Sequence, residues 1–129
     1  MQNKTEKLIH PELSYVIVGI LYEVYNELGN GYQEKYYQRA ISKEFASKQI
    51  KFKEQLPIKL RYKGDYLGIY YLDFLVEDKI ILEIKNSSKF YPKDIKQVIG
   101  YLKATGLELG ILACFSKNGL IYKRILKGN

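Results

Sequence analysis

Apolar residues first recur along the chain at helical spacing. Leu13, Val16, Ile17, Ile20, Leu21, Val24 and Leu28 fall on one stripe of an amphipathic helix, which the pattern predicts from about Pro11 to Leu28. Gly29-Asn30-Gly31 should stop it, because Gly and Asn tolerate the left-handed backbone of a helix C-terminus. A second helix is predicted from about Gln33 to Gln49, with Tyr37, Ala40, Ile41 and Phe45 inward. Glu34, one turn before Tyr37, lies on or beside that stripe.

The period then changes to two. Ile50, Phe52, Leu56, Ile58, Leu60 and Tyr62 alternate with mostly polar residues, the signature of a half-buried strand. Pro57 inside this run points to an edge strand or a bulge. Lys63-Gly64-Asp65 signals a turn. A second strand is expected from about Tyr66 to Val76, a short turn at Glu77-Asp78-Lys79, and a third strand from Ile80 to Lys85. Beyond the polar loop Asn86 to Tyr91, Pro92 suits a helix start. That helix should run to about Ala104 with Ile95, Val98, Ile99 and Leu102 inward, capped by Gly106. Strands follow at Leu107 to Phe115 and Leu120 to Ile125, around a turn at Ser116 to Gly119. The order ααβββαββ reads as an α/β sandwich with a mixed sheet.

Composition adds limits. The chain has 129 residues, 47% of them hydrophobic, enough for one domain with its own core over residues 1–129. No apolar run is long enough for a membrane helix, and the polar stretch Met1 to Lys7 lacks the apolar segment of a secretory signal. A single cysteine excludes an internal disulfide and a cysteine-based zinc site, and a reducing cytoplasm fits. The formal charge of +7 biases the chain toward polyanions. Thirteen tyrosines and no tryptophan supply rings that stack on bases or serve simply as strand and core-rim residues.

The candidate chemistry lies in the hairpin Tyr71-Leu72-Asp73-Phe74-Leu75-Val76 and Ile80-Ile81-Leu82-Glu83-Ile84-Lys85. A turn centred on Asp78 sets Asp73 directly opposite Glu83, with Cβ atoms roughly 4.5–5.5 Å apart. Lys85 projects from the same face as Glu83. Facing like charges destabilise a sheet, and these stand among core-like neighbours. Partly buried carboxylates must protonate, pair with a cation or bind a metal. A hard divalent ion is held by one or two carboxylates plus water and phosphate oxygens, and it activates water and stabilises phosphoryl charge. The ordinary alternative is a solvated face on which Lys85 pairs with one acid.

Other residues carry weaker signals. Gln97 and Tyr101 share a helix face distinct from the core stripe. They border a site or merely pack. Gly31-x-x-Glu34-x-x-Tyr37 sets a carboxylate in the first turn of a helix, where it also stabilises the helix dipole. Lys89, Lys93 and Lys96 either face a phosphate backbone alongside Gln97 or form, with Lys103, a solvated surface. Lys117, Lys123, Arg124 and Lys127 extend a basic surface or keep the C-terminus solvated. His10, just before Pro11, reads as a surface or capping residue, and Cys114 as buried and inert.

With these residues in view the chain resembles the GxxExxY family of the PD-(D/E)XK nuclease superfamily. The motif stands as Gly31-Tyr32-Gln33-Glu34-Lys35-Tyr36-Tyr37, and the residues from Glu23 to Gly31 resemble the end of the family's first helix. The likeness continues through Tyr71 to Val76, Leu82 to Lys85 and Gln97 to Gly106. Tyr25 stands where the family often has histidine and Asn30 where it has proline. Leu72 precedes Asp73 where some members carry the motif proline.

The resemblance implies a restriction-endonuclease-like core, a mixed sheet flanked by helices. It implies Asp73 and Glu83 as ligands of Mg²⁺ or Mn²⁺, with the Ile84 carbonyl adding a third. Lys85 would position or activate the attacking water, and Glu34 would complete the site. Gln97 and Tyr101 match the Gln-x-x-x-Tyr motif of RecB-like exonucleases, in which they border the site and assist DNA binding. The expected activity is metal-dependent hydrolysis of phosphodiester bonds in DNA. Two rival readings are a non-catalytic nucleic-acid-binding module on the same fold, and an interaction protein such as a homodimer built on an exposed strand or tyrosine-rich face.

Overall fold

The computed structural model describes residues 9–128, and the polar stretch Met1 to Lys7 lies outside them. Helix α1 (Pro11–Leu28) buries Ile17, Ile20, Leu21 and Val24. Val16, expected on that stripe, is 38% exposed, since it lies about 100° round the helix from Ile17. Gly29 closes α1 at φ 71°, giving its N–H to the Tyr25 carbonyl. His10 precedes the helix without capping it through its side chain. Helix α2 (Glu34–Ser47) buries Tyr37, Ile41 and Phe45. It ends before Gln49, whose φ of 59° takes the chain out of helical conformation.

Five strands form one sheet: β1 (Phe52–Tyr62), β2 (Asp65–Val76), β3 (Ile80–Lys85), β4 (Leu109–Ser116) and β5 (Gly119–Leu126). Their spatial order follows the chain. Neighbours are antiparallel except β3 and β4, which run parallel and are joined through helix α3 (Pro92–Thr105). This is the mixed α/β sheet of the restriction-endonuclease-like fold, and Pro57 lies, as its residue type requires, on an edge strand. Every residue of β4 is buried, because helices cover both faces. Ile80, Leu82 and Ile84 pack with α1 and α2, while Ile81 and Leu112 pack with Val98, Tyr101 and Leu102 of α3.

The β1–β2 hairpin turns over partway along its length. Phe52 and Phe74 pack toward α1 and α2, whereas Leu56 and Leu72 pack toward α3. Strict alternation would keep each of these pairs on one face. The reversal falls where Gln55 faces Asp73, a rung the β1–β2 ladder skips, and Gln55 adopts φ 48°. Beyond it the hairpin continues as an arm that covers part of α3, with the Tyr70 and Tyr101 rings 5.2 Å apart edge to face. This explains one departure from expectation. The buried side of α3 is Asp94, Val98, Tyr101 and Leu102, while Ile95 and Ile99 pack half-buried at its margin.

Candidate active site

The register of β2 and β3 pairs Phe74 with Leu82 around the Glu77–Asp78 turn, so Asp73 and Glu83 occupy the next rung. There β2 leaves β3 and the backbone ladder ends. Side chains take over its hydrogen bonds: the Asp73 N–H donates to Glu83 Oε2 at 2.8 Å, and the Ile84 N–H donates to Asp73 Oδ2 at 2.8 Å. Glu83 is 3% exposed. Burial, and then the neighbouring Asp73 charge, push its carboxyl up to about 8. Burial also raises Asp73; its bond from Ile84 opposes the shift, and the Glu34 charge adds to it. Gln55 Nε2 lies 3.4 Å from Asp73 Oδ1.

Lys85 shares the α3-facing side of β3 with Glu83, but its contacts are with α3. Its Nζ lies 3.8 Å from Asp94 Oδ1 and 3.5 Å from Gln97 Oε1. Asp94 carries no distinctive signal in the sequence. What marks it is a first-turn position in α3 and a place one turn before Gln97. Asp94 is buried, so it holds the lysine over the end of β3 from below. Tyr101 does not stand apart from the core, as its helical position suggested; it is 2% exposed. Burial raises its hydroxyl, and the charges of Glu83 and Asp73 add to the shift, so a protonated phenol stands near both acids.

Glu34 arrives from the other layer, at the first turn of α2. Its Oε2 accepts the Asn86 N–H at 3.1 Å, while Asn86 Nδ2 donates to the Tyr32 carbonyl at 2.8 Å. The motif residues around Glu34 fix this approach. Gly31 takes φ 103°, a conformation L side chains resist. Buried Tyr37 donates its hydroxyl to the Gly29 carbonyl and accepts the Tyr32 N–H, with its ring 4.2 Å from that of Phe115. The same tyrosine thus anchors the loop and the helix that carries Glu34. On the opposite side, Ser87 Oγ contacts buried Cys114 Sγ at 3.4 Å, which ties down the loop after β3.

Glu34, Lys85, Asn86, Tyr91, Lys93 and Asp94 line an open cleft of about 400 Å³. Lys93 lines it from α3, and Lys89, in the preceding loop, and Lys96, on α3, are exposed. A cavity of about 470 Å³ lies elsewhere, between α1 and β5, where Arg124 bonds Ser14 Oγ and the Ile9 carbonyl. Arg124 is therefore a structural tie rather than part of a free basic surface.

The donor chemistry of the acidic pair fits a hard divalent ion. Among the described residues no ion pair reaches Asp73 or Glu83, because Lys85 is drawn to Asp94. Two crowded carboxylates therefore lack a bound counter-charge. Among the described residues no three His, Cys, Asp or Glu side chains converge as a complete metal cage, since Glu34 is held by Asn86. A Mg²⁺-type site needs only one or two carboxylates, with water and phosphate oxygens completing the shell.

Among solved structures, the alkaline exonuclease LHK-Exo from Laribacter hongkongensis is similar to this chain. The two share 15% identity with a TM-score of 0.54, and the match covers 94% of this chain and 72% of the other. The protein SSO0001 is similar at 13% identity and a TM-score of 0.49, covering 90% of this chain and 78% of its own. No curated protein matches the chain. A family model for the PD-(D/E)XK nuclease superfamily matches residues 11–125, a span that holds both helical layers, all five strands and every acid of the cleft; the chain belongs to the PD-(D/E)XK nuclease superfamily.

Proposed function

We propose that this protein is a divalent-metal-dependent nuclease of the GxxExxY group that hydrolyses phosphodiester bonds in DNA. The observation that carries the reading is the reciprocal Asp73–Glu83 pair, with Glu83 buried, Asp73 half-buried and no ion pair to either among the described residues, at the end of β3 beside Lys85. Asp73 and Glu83, with the Ile84 carbonyl between Glu83 and Lys85, would hold Mg²⁺ or Mn²⁺. When bound, such an ion neutralises the acids, lowers the pKa of water and polarises a phosphoryl oxygen.

The chain's own residues do the rest. Lys85, oriented by Asp94 and Gln97, holds the attacking water or a phosphate oxygen in the cleft. Glu34 supports the site from α2 through Asn86. Lys93 and its neighbours along α3 supply positive charge to the phosphate backbone. Tyr101 stays protonated, buried where the charges of both acids reach it. Without metal, burial holds the proton on Glu83 up to about pH 8, so metal binding below that pH would displace this proton.

The test is a Mg²⁺ and Mn²⁺ titration with labelled single- and double-stranded DNA, comparing wild type with Lys85→Ala. Metal-dependent cleavage lost in the variant supports the reading. Absence of cleavage by wild type under every metal condition overturns it and favours a binding module on the same fold.

A further inference from the structure

The β1–β2 arm has one covered face and one open face. Leu56, Ile58 and Tyr70 turn toward α3. On the other face the register pairs Pro57 with Tyr71, Lys59 with Ile69 and Arg61 with Tyr66. Paired residues of an antiparallel ladder project from the same side, and so do alternate residues of one strand. The register shifts between Leu60 and Arg61, which leaves Leu67 unpaired and brings Tyr66 back onto this side. Tyr71 is 54% exposed, Ile69 39% and Tyr66 57%, and Lys59 and Arg61 are exposed as well.

We infer that this open face is a track for single-stranded DNA leading to the acidic cleft, an inference that rests on the nuclease reading. Three features of the arm select that occupant. Two exposed rings, Tyr71 and Tyr66, stand opposite Pro57 and Arg61, roughly 13 Å apart along the strand, which lets an extended single strand stack one base on each ring with intervening bases over Ile69. Lys59 and Arg61 lie across the ladder from Ile69 and Tyr66, within reach of the backbone of a strand whose bases lie on the rings. The arm from Leu56 to Tyr71 carries one acid, Asp65, against Lys59, Arg61 and Lys63, so its charge complements a polyanion.

The track is also continuous with the chemistry. Asp73 lies two residues beyond Tyr71 on the same strand, at the rung where the hairpin turns over. The open face lies on the α2 side, where Gln38 Oε1 meets Gln55 Nε2 at 3.1 Å. A strand following the rings therefore arrives at Asp73 from the side on which Glu34 stands. Duplex DNA keeps its bases stacked on each other and offers no faces to these rings, so the arm discriminates for single strands.

Binding can be measured apart from cleavage, by fluorescence anisotropy of labelled oligothymidylate in EDTA with the Lys85→Ala protein as background. The double variant Tyr66→Ala/Tyr71→Ala, which removes two stacking rings, should weaken binding by about 30-fold or more, and Tyr66→Phe/Tyr71→Phe, which keeps the rings, by less than about 2-fold. Lys59→Ala/Arg61→Ala should reduce the slope of log K against log salt by about 1.4. Tyr15→Ala, at an 82% exposed position on α1, should bind as the background protein does. All of these positions are exposed, and circular dichroism checks that each variant folds.

Alanine variants that bind as tightly as the background protein overturn the track, as does equal or tighter binding of duplex. A protein that cleaves DNA while its arm variants bind normally sinks the track and leaves the nuclease reading standing. A protein that binds single strands through the arm but never cleaves does the reverse.

Discussion

Asp73 and Glu83 are locked by a reciprocal arrangement: the Asp73 backbone N–H is bonded by Glu83, and the N–H next to Glu83 is bonded by Asp73. Each acid thus replaces one missing rung of the sheet, which fixes both carboxylates without neutralising either. The cost appears as pH dependence. Glu83 ionises near 8 in the folded chain against an ordinary value of 4.5. Between those values the folded state binds more protons than the unfolded state, so stability falls as pH rises. Metal-free protein should lose on the order of 2–5 kcal/mol of stability from pH 4.5 to pH 8 through this group. Glu83→Gln should flatten that slope. Added Mg²⁺ should restore stability more at pH 8 than at pH 5, because only the ionised pair binds it well. Thermal melts across pH, with and without Mg²⁺, check this; a slope unchanged by Glu83→Gln would reject it.

Lys85 owes its position to Asp94. The pair is mostly withdrawn from solvent, at 27% and 10% side-chain exposure, so loss of one partner is felt by the other. Asp94→Asn keeps the shape but removes the charge that holds the ammonium over β3. We expect kcat to fall about 10- to 100-fold with little change in KM, as for a mispositioned catalytic group. Lys85→Ala should abolish cleavage. Steady-state kinetics on a labelled DNA substrate separate the two effects, and an unchanged kcat in Asp94→Asn would show that Lys85 positions itself.

Much of this was legible in the sequence, for local reasons. The Asp73–Glu83 register follows from the short turn, where Glu77 and Asp78 both take positive φ and bring the two strands together around Asp78. The element order follows from clean switches between helical and strand periods. What was not legible depends on long-range packing. Nothing about Gln55 as a residue type announces a left-handed conformation, yet the hairpin turns over there. The helical pattern set Ile95 and Ile99 inward, and both are half-buried against the core, but the arm folded over α3 and buried Tyr101 more completely than either. Asp94 looked like an ordinary first-turn acid until α3 docked beside Lys85.

The tyrosine of the Gly31–Glu34–Tyr37 motif is structural, and its role can be separated from that of the acid. Tyr37→Phe keeps the ring on Phe115 but loses the bonds to Gly29 and Tyr32. It should destabilise the fold by about 1–2 kcal/mol, read as a melting point lower by roughly 3–10 °C. Glu34→Gln, on an exposed side chain, should leave the melting point within about 1–2 °C, as surface substitutions do, while reducing cleavage. Parallel melts and activity assays distinguish them. A large loss of stability in Glu34→Gln would make the acid a structural residue as well.

The seat of α3 on the sheet rests on a glycine. A Cβ at Gly110 would stand 2.6 Å from Val98 Cγ1, with the Ile81 carbonyl oxygen and Leu102 Cδ1 next nearest. Gly110 lies on β4, paired with Ile81 of β3 and Ile125 of β5, so neither the sheet nor the helix has slack to yield. Gly110→Ala should therefore push α3 outward and cost about 1–3 kcal/mol, as overpacking does. Because Asp94 and Gln97 ride on the same helix, the shift should also carry Lys85 away from the acids and lower kcat. Gly110→Ala combined with Val98→Ala removes the clashing methyl and should recover much of the activity even if stability stays below wild type. Recovery in the double variant would tie the position of α3 to the chemistry, whereas equal activity in wild type and Gly110→Ala would show that the cleft tolerates displacement of the helix.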